Sequence, residues 1–375
     1  MFFKFKGKFV SGSIVLRKVK RLHVIAMLTA CAFLAGCSKS SSINEEVNKL
    51  LSSTEMTALS VVLVTEGNVR TYHYGEFADG SKPSDDTIYD VGSITKTHVG
   101  IVLAQAVSDG LIGLDIPISQ YLSTINSDAL TFQDTEITVR HLATHTSGLP
   151  TDLSCANANL TPNERFMCFN NHDDEDLFKV LNEYKLQERP GSKYQYSNSG
   201  IRIIGLILED LYDTTIEQLL HDIVFKSTGQ IETYTYLTEN ERVRWRRGVH
   251  ESGLPTPDAS GYFNAAGGLK STTQDMGRYI SFYLNDDNKL VKKTLTLLAG
   301  EESGLGRAYM WNTFRLDSEG QYYHGGGTFG TSAWISIYPE EKLGIFLVTP
   351  YASTTTQEQL NMTSNAIVEI YRRQR

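Results

Sequence analysis

Two hydrophobic patterns divide this chain. Near both ends, short apolar runs rich in β-branched residues predict strands. Ala58–Val64 is one such run; Val69–Gly75 alternates through Arg70, Thr71, Tyr72, His73 and Tyr74, and Glu66-Gly67-Asn68 between them reads as a hairpin turn. Late in the chain Ala308–Phe314, Thr331–Tyr338 and Leu343–Thr349 read as further strands, the last two joined by Pro339-Glu340-Glu341-Lys342. Elsewhere apolar residues recur at helical spacing. Asn44–Leu51 presents Val47, Leu50 and Leu51 on one face, Thr97–Ser108 stops at Asp109-Gly110, and Thr354–Arg375 offers Leu360, Ile367, Ile370 and Tyr371 for packing. Thr214-Thr215-Ile216-Glu217 reads as a capping box, and Asp173–Asp176 as an acidic helix start complementing the dipole, with metal binding as the weaker alternative. Strands at both ends with helices between predict an α+β fold: one antiparallel sheet built from both chain ends, flanked by helices, with a mostly helical insertion over roughly residues 97–260.

The first 36 residues follow a different logic. Lys4, Lys6, Lys8, Arg17, Lys18, Lys20 and Arg21 form a basic stretch without an acid, and Leu22–Gly36 is apolar apart from His23 and Thr29. That run is shorter than the roughly 18 residues of a membrane span, so it reads as an export signal. It ends in Leu34-Ala35-Gly36-Cys37, similar to a bacterial lipobox, in which the signal is cut before a cysteine that then carries lipid. A plain signal peptide is the alternative. The expected organisation is a signal over 1–36, a Ser-rich tether over 37–44 and one domain over 45–372. The expected location is the bacterial cell envelope, lipid-anchored through Cys37 and facing the periplasm. Ser38 after the cysteine favours the outer membrane in a Gram-negative host.

Composition narrows the partners. The chain carries 35 Lys and Arg against 43 Asp and Glu, a net −8; without the seven leader cations it falls to −15. Such a surface repels phosphate backbones, so nucleic acid is not an expected partner. The expected partners are a small-molecule or peptide substrate and the membrane that takes the lipid; the sequence leaves oligomeric state open. Cys155 and Cys168 remain after Cys31 leaves with the signal and Cys37 takes the lipid. Outside the cytoplasm a disulfide is the default for such a pair, contributing about 3 kcal/mol for a loop of this size; free thiols or half a metal site are the alternatives.

Three short motifs carry the chemistry. In Ser93-Ile94-Thr95-Lys96 a serine opens a helical run, near the positive end of its dipole, with a lysine one turn on. A buried lysine there has a lowered pKa and can take the serine proton. Alone, the motif equally describes a helix N-cap beside a solvated lysine. In Tyr196-Ser197-Asn198 a phenol and an amide two residues apart point the same way if the loop is extended, an ordinary Tyr-Ser-Asn-Ser-Gly turn being the alternative. The phenol, near an ammonium, is expected to have a lowered pKa and relay protons, and Asn198 to donate to a substrate carbonyl. His324-Gly325-Gly326-Gly327 precedes a predicted strand, and its backbone N–H groups suit an oxyanion hole; a flexible hairpin loop is the alternative.

In their order and spacing these motifs resemble the serine β-lactamase and penicillin-binding-protein superfamily. The chain looks most like the class C β-lactamases and their D-alanyl-D-alanine carboxypeptidase and esterase relatives. Tyr89–Lys96, His141–Pro150, Gly191–Gly200, Ala265–Thr272 and His324–Gly330 are all family-like, so the resemblance spans about residues 45–372. It implies Ser93 as acylated nucleophile, Lys96 and Tyr196 sharing acid–base work, Asn198 orienting substrate, and the N–H groups of Ser93 and Gly327 forming the oxyanion hole. No cofactor or metal is implied; His141 and His145, four apart, are expected to be structural, with a metal-binding pair on a helix as the weaker alternative. One departure stands out: His324 occupies the place where β-lactamases usually carry the lysine of Lys-Thr-Gly. Histidine lacks that permanent charge, so carboxylate-bearing substrates are expected to bind better as pH falls. The expected function is an envelope serine hydrolase acting on D-amino-acid peptides, β-lactams or related amides and esters. The alternatives are a carboxylesterase of the same fold and a non-catalytic penicillin-binding-like sensor or scaffold.

Overall fold

The computed structural model describes residues 42–122, 124–152, 160–161, 164, 168, 173–256, 264–316 and 319–375. The leader, Cys37 and Cys155 lie outside the described residues. Eight strands form the main sheet: β1 (Ala58–Thr65), β2 (Asn68–Gly75), β3 (Ala299–Gly300), β4 (Gly304–Arg307), β5 (Asn312–Leu316), β6 (Glu319–Gly327), β7 (Ser332–Tyr338) and β8 (Leu343–Thr349). Their order is β2-β1-β8-β7-β6-β5-β4-β3, and every pair is antiparallel. The first strand thus pairs with the last, Ser60 opposite Val348, which closes the sheet from both chain ends as expected. The β1–β2 turn needs two left-handed residues, supplied by Glu66 (φ 50°) and Gly67 (φ 82°).

Five helices matter for the site: α1 (Ile43–Ser52), α2 (Thr95–Ser108), α3 (Asn198–Tyr212), α4 (Thr273–Tyr283) and α5 (Thr356–Gln374). All eight residues of β1 are buried, because both faces of the sheet are covered. Leu59, Val61 and Leu63 pack with Val47 and Leu50 of α1 and Leu360 and Ile367 of α5. Ala58, Val62 and Val64 belong to the opposite cluster, with α2, α3 and α4. The period-2 alternation therefore sorts two apolar layers rather than a wet and a dry face. Helix α1 begins inside the stretch expected as tether, on a reciprocal Ser42–Glu45 cap. Among the described residues no helix is long and apolar enough to cross a membrane.

Two local expectations are corrected. Ala308–Phe314 is not one strand: β4 ends at Arg307, Met310 turns with φ 62°, and β5 starts at Asn312. The apolar tetrad Ala308–Trp311 mimics a strand because it is buried as a turn against the core. The cap before Ile216–Leu219 is Thr215, which accepts from Gln218 N, while Glu217 instead accepts from Asn264 Nδ2. The acidic run behaves as a helix start, with Asp173 accepting from Asp176 N at 3.0 Å. Its second member, Asp174, takes a bidentate pair from Arg202 of α3 at 2.8 and 2.6 Å.

Candidate active site

The Ser93 turn is built by close backbone approach. Gly92–Ile94 is a 3₁₀ turn leading into α2, and Gly92 has φ 52°. A Cβ on Gly92 would lie 2.5 Å from Gly327 N, and one on Gly326 would collide with Val91 O. Only glycine lets these two backbones meet. The turn is fastened from behind. Thr95 Oγ1 donates to Gly92 O at 2.7 Å and accepts from Leu269 N at 3.1 Å, and Val91 N donates to Leu269 O at 3.0 Å. Next to it Asp90 forms a buried ion pair with Lys270 at 3.5 Å and accepts from Trp245 Nε1 at 3.3 Å.

Ser93 Oγ receives two donors: Lys96 Nζ at 3.0 Å and Tyr196 Oη at 2.7 Å. Lys96 is fully buried and also donates to Ala266 O. Burial disfavours its ammonium and brings its pKa down to about 7, against the opposing pull of Asp152. The ammonium position lies over the Tyr196 ring, 5.0 Å from its centroid. The expected low phenol pKa is not found. Burial pushes Tyr196 up, and the hydrogen bond to Ser93 only partly offsets this. Tyr196 is therefore a resting-state donor, not a phenolate.

Tyr196 is held by the segment after the short helix Val139–Ala143. His145 (φ 57°) sets its ring 4.5 Å from the Tyr196 ring, its Nδ1 accepts from Ser197 N at 3.2 Å, and its carbonyl accepts from Gln195 N at 2.7 Å. Ser197 caps α3, donating to Pro150 O at 2.7 Å and accepting from Gly200 N at 3.0 Å. Tyr-Ser-Asn is thus a helix start rather than an extended loop, and Asn198 opens α3 with its amide donating to Asp152 Oδ1 at 2.8 Å. His141 works separately: its Nδ1 accepts from Thr138 N at 3.1 Å and so caps the short helix. Among the described residues no group of three or more His, Cys, Asp or Glu is placed to hold a metal ion.

His324 lies within β6, opposite Ile335, so the His-Gly-Gly run is the strand itself and not a loop before it. Its ring centroid is 6.5 Å from that of Tyr196, and its Nδ1 is 2.6 Å from Gly325 O. Burial, then the charge of Lys96, brings its pKa down to about 3. The expected gain of charge on mild acidification is therefore corrected: the imidazole stays neutral over the ordinary pH range. The structure brings together Ser93, Lys96, Tyr196, His324 and the Gly327 backbone. Asn198 is adjacent through Asp152. Cys168 is disulfide-bonded, while its expected partner Cys155 lies outside the described residues.

Sequence reading missed Asp152 and the Ala266 carbonyl, and expected His145 to be structural without its link to Tyr196. His145 sat in a family-like segment, yet nothing local tied it to Tyr196, 51 positions away. It also missed Arg307, whose guanidinium stacks over Tyr194 at 4.2 Å and adds to the downward push on His145 and His324.

Comparisons with known proteins agree on the frame. The Beta-lactamase family profile matches residues 43–366. Protein flp of Staphylococcus aureus (strain N315) is 23% identical over 302 residues, covering 77% of this chain and 58% of that protein. The chain thus spans little more than half the length of that relative. The D-alanyl-D-alanine-carboxypeptidase/endopeptidase AmpH of Escherichia coli (strain K12) is 25% identical over 333 residues, 83% of this chain and 84% of that protein. Among solved structures, a class C beta lactamase from Rhodobacter sphaeroides superposes with TM-score 0.74 at 19% identity, covering 87% of this chain and 98% of that one. A beta-lactamase/D-alanine carboxypeptidase from Pseudomonas syringae gives TM-score 0.73 at 18% identity, with 87% and 97% covered. Family and neighbours are of the serine hydrolase type that includes β-lactamases and DD-peptidases. With the profile match running from α1 into α5, over a sheet closed from both chain ends, the chain belongs to the beta-lactamase family.

Proposed function

We propose that the protein is a lipid-anchored envelope hydrolase that forms an acyl-enzyme on Ser93. Its substrates are D-amino-acid peptides, β-lactams or related amides and esters. The observation that carries this is the double hydrogen bond at Ser93 Oγ, from Tyr196 Oη and from a Lys96 whose pKa is about 7. Near neutral pH about half of Lys96 is the free amine. That amine takes the Ser93 proton as Oγ bonds to the substrate carbonyl carbon. The N–H groups of Ser93 and Gly327 receive the developing oxyanion. Tyr196, protonated at rest, passes its proton to the leaving group and regains one from the Lys96 ammonium. Water then repeats the sequence and frees the acid. Asn198 and His324 line the substrate side. A fluorescent penicillin or fluorophosphonate should label the protein, and Ser93→Ala should abolish labelling; equal labelling of the variant sinks the assignment.

The esterase reading has one specific support. His324 is neutral where β-lactamases usually carry a lysine, so neutral esters lose less here than carboxylate-bearing substrates. A non-catalytic scaffold has no use for a lysine buried at that desolvation cost. We further propose that Cys37 carries the lipid and that Cys155 is the disulfide partner of Cys168. Intact mass of membrane-extracted protein and non-reducing peptide mapping check both. A free Cys37 in soluble protein refutes the anchor, and a bridge from Cys168 to any other cysteine refutes the pairing.

A further inference from the structure

We propose that Gln357 is a positioning residue for the oxyanion hole, holding and polarising the Gly326–Gly327 peptide from the first turn of α5. The inference rests on the acyl-transfer reading above, since it concerns the N–H group assigned there to Gly327.

The end of β6 has a strand neighbour on one side only: its pairing with β7 runs on to Gly327 opposite Ser332. Pairing with β5 stops at Tyr323 opposite Asn312, so residues 324–327 run on without that neighbour. Three of those four are glycines, the residue with the most backbone freedom to lose. Gln357 lies along all three. Its Nε2 donates to Gly326 O, its Oε1 occupies the space a Cβ on Gly325 would need, and a Cβ on Gly327 would sit 3.4 Å from its Nε2. The first turn of α5 is itself fastened, because Thr356 is buried and its Oγ1 accepts from Ser353 N at 3.0 Å.

The carbonyl that Gln357 holds belongs to the same planar unit as the Gly327 N–H. In a trans peptide the C=O and N–H point in opposite directions, so fixing one end fixes the other. The Gly327 nitrogen lies against Gly92, beside Ser93. A donor on the carbonyl also polarises the amide and strengthens its N–H as a donor. Gln357 thereby acts on the reacting oxygen through a peptide bond, without touching substrate.

The test compares an oxoester with its thionoester, whose sulfur accepts hydrogen bonds weakly. Gln357→Met keeps the unbranched shape and removes the donor; Gln357→Glu keeps the shape and replaces the donor with an acceptor. Oxoester kcat should fall at least about fivefold in both, short of the ~100-fold loss of a whole oxyanion donor. KM should change little, and the thionoester rate should fall less, so the oxo-to-thiono ratio drops. If either variant folds and its ratio equals wild type, Gln357 only staples the helix to the sheet and the inference fails. Ser93→Ala, run in parallel, separates the two failures: an active Ser93→Ala overturns the acyl-enzyme reading together with this inference. An inactive one, with an unchanged ratio in the Gln357 variants, overturns this inference alone.

Discussion

Lowering the lysine pKa from its ordinary 10.5 to about 7 has a direct kinetic signature. If the free amine of Lys96 is the base, kcat/KM follows its fraction in the free enzyme. That fraction is about one half at pH 7, about one tenth at pH 6 and about one hundredth at pH 5, and it saturates above about pH 8. An unshifted lysine would leave only ~0.03% free amine at pH 7, and the rate would climb tenfold per pH unit up to about pH 10. The buried site thus raises the population of the base by about three powers of ten. Two neighbours stay clear of this limb. His324 titrates at about 3, and Tyr196 is pushed above its ordinary 10. The perturbation that tests the cause is Asp152→Asn. Asp152 supports the ammonium, so removing its charge lowers the Lys96 pKa further and moves the acid limb to lower pH. Asparagine keeps an oxygen for the Asn198 amide. The assay is kcat/KM for an uncharged ester between pH 5 and 10 in wild type and variant. A rate still rising tenfold per unit above pH 9, or a limb that moves upward in Asp152→Asn, refutes the argument.

Two further substitutions probe the geometry. Tyr196→Phe removes one of the two donors to Ser93 Oγ without changing the ring that packs on His145. Acylation should fall about 10²-fold or more, the ordinary scale of a lost proton-transfer group, with the melting temperature nearly unchanged; wild-type acylation excludes Tyr196 from proton transfer. Gly92→Ala forces a side chain into a left-handed turn 2.5 Å from Gly327 N. It should cost about 1–3 kcal/mol of stability and, by moving the oxyanion donor away from Ser93, about 10²-fold in kcat. Thermal unfolding and steady-state rates measure the two, and an unaltered rate shows that the Gly92–Gly327 approach does not set the hole.

What could be read from the sequence was whatever repeats locally. The strands of β1, β2, β7 and β8 and the helices α1, α2 and α5 are each periodic over their own length, so their patterns survive without knowledge of neighbours. Ser93 and Lys96 are also local, one turn apart on a helix start, and their meeting followed from helix geometry alone. The misreadings share the opposite cause. Ala308–Trp311 looked like a strand because burial in a turn and burial in a sheet leave the same apolar run. His-Gly-Gly also admitted a loop reading because glycine runs signal turns, whereas here the glycines admit close neighbours: Gly325 the Gln357 side chain, Gly326 the Val91 carbonyl and Gly327, more loosely, Gln357 again.

The acid–base assignments lay furthest from the sequence. A tyrosine beside a lysine invites a lowered pKa, but that argument weighs one charge and omits solvent. In the folded site both groups are cut off from water, and desolvation drives them in opposite directions, the lysine toward its neutral amine and the tyrosine toward its neutral phenol. Near neutral pH the phenol is therefore uncharged and about half of the lysine is free amine, so the pair can exchange one proton in each direction. The same dry environment keeps His324 neutral, so the lysine that β-lactamases carry at this place is not matched by protonating the histidine. Burial, joined at His324 by the charges of Lys96 and Arg307, thus favours a free amine beside Ser93 and disfavours a charged ring at position 324. On the proposed acyl-transfer reading, discrimination among substrates at this position then falls to shape and to neutral hydrogen bonds.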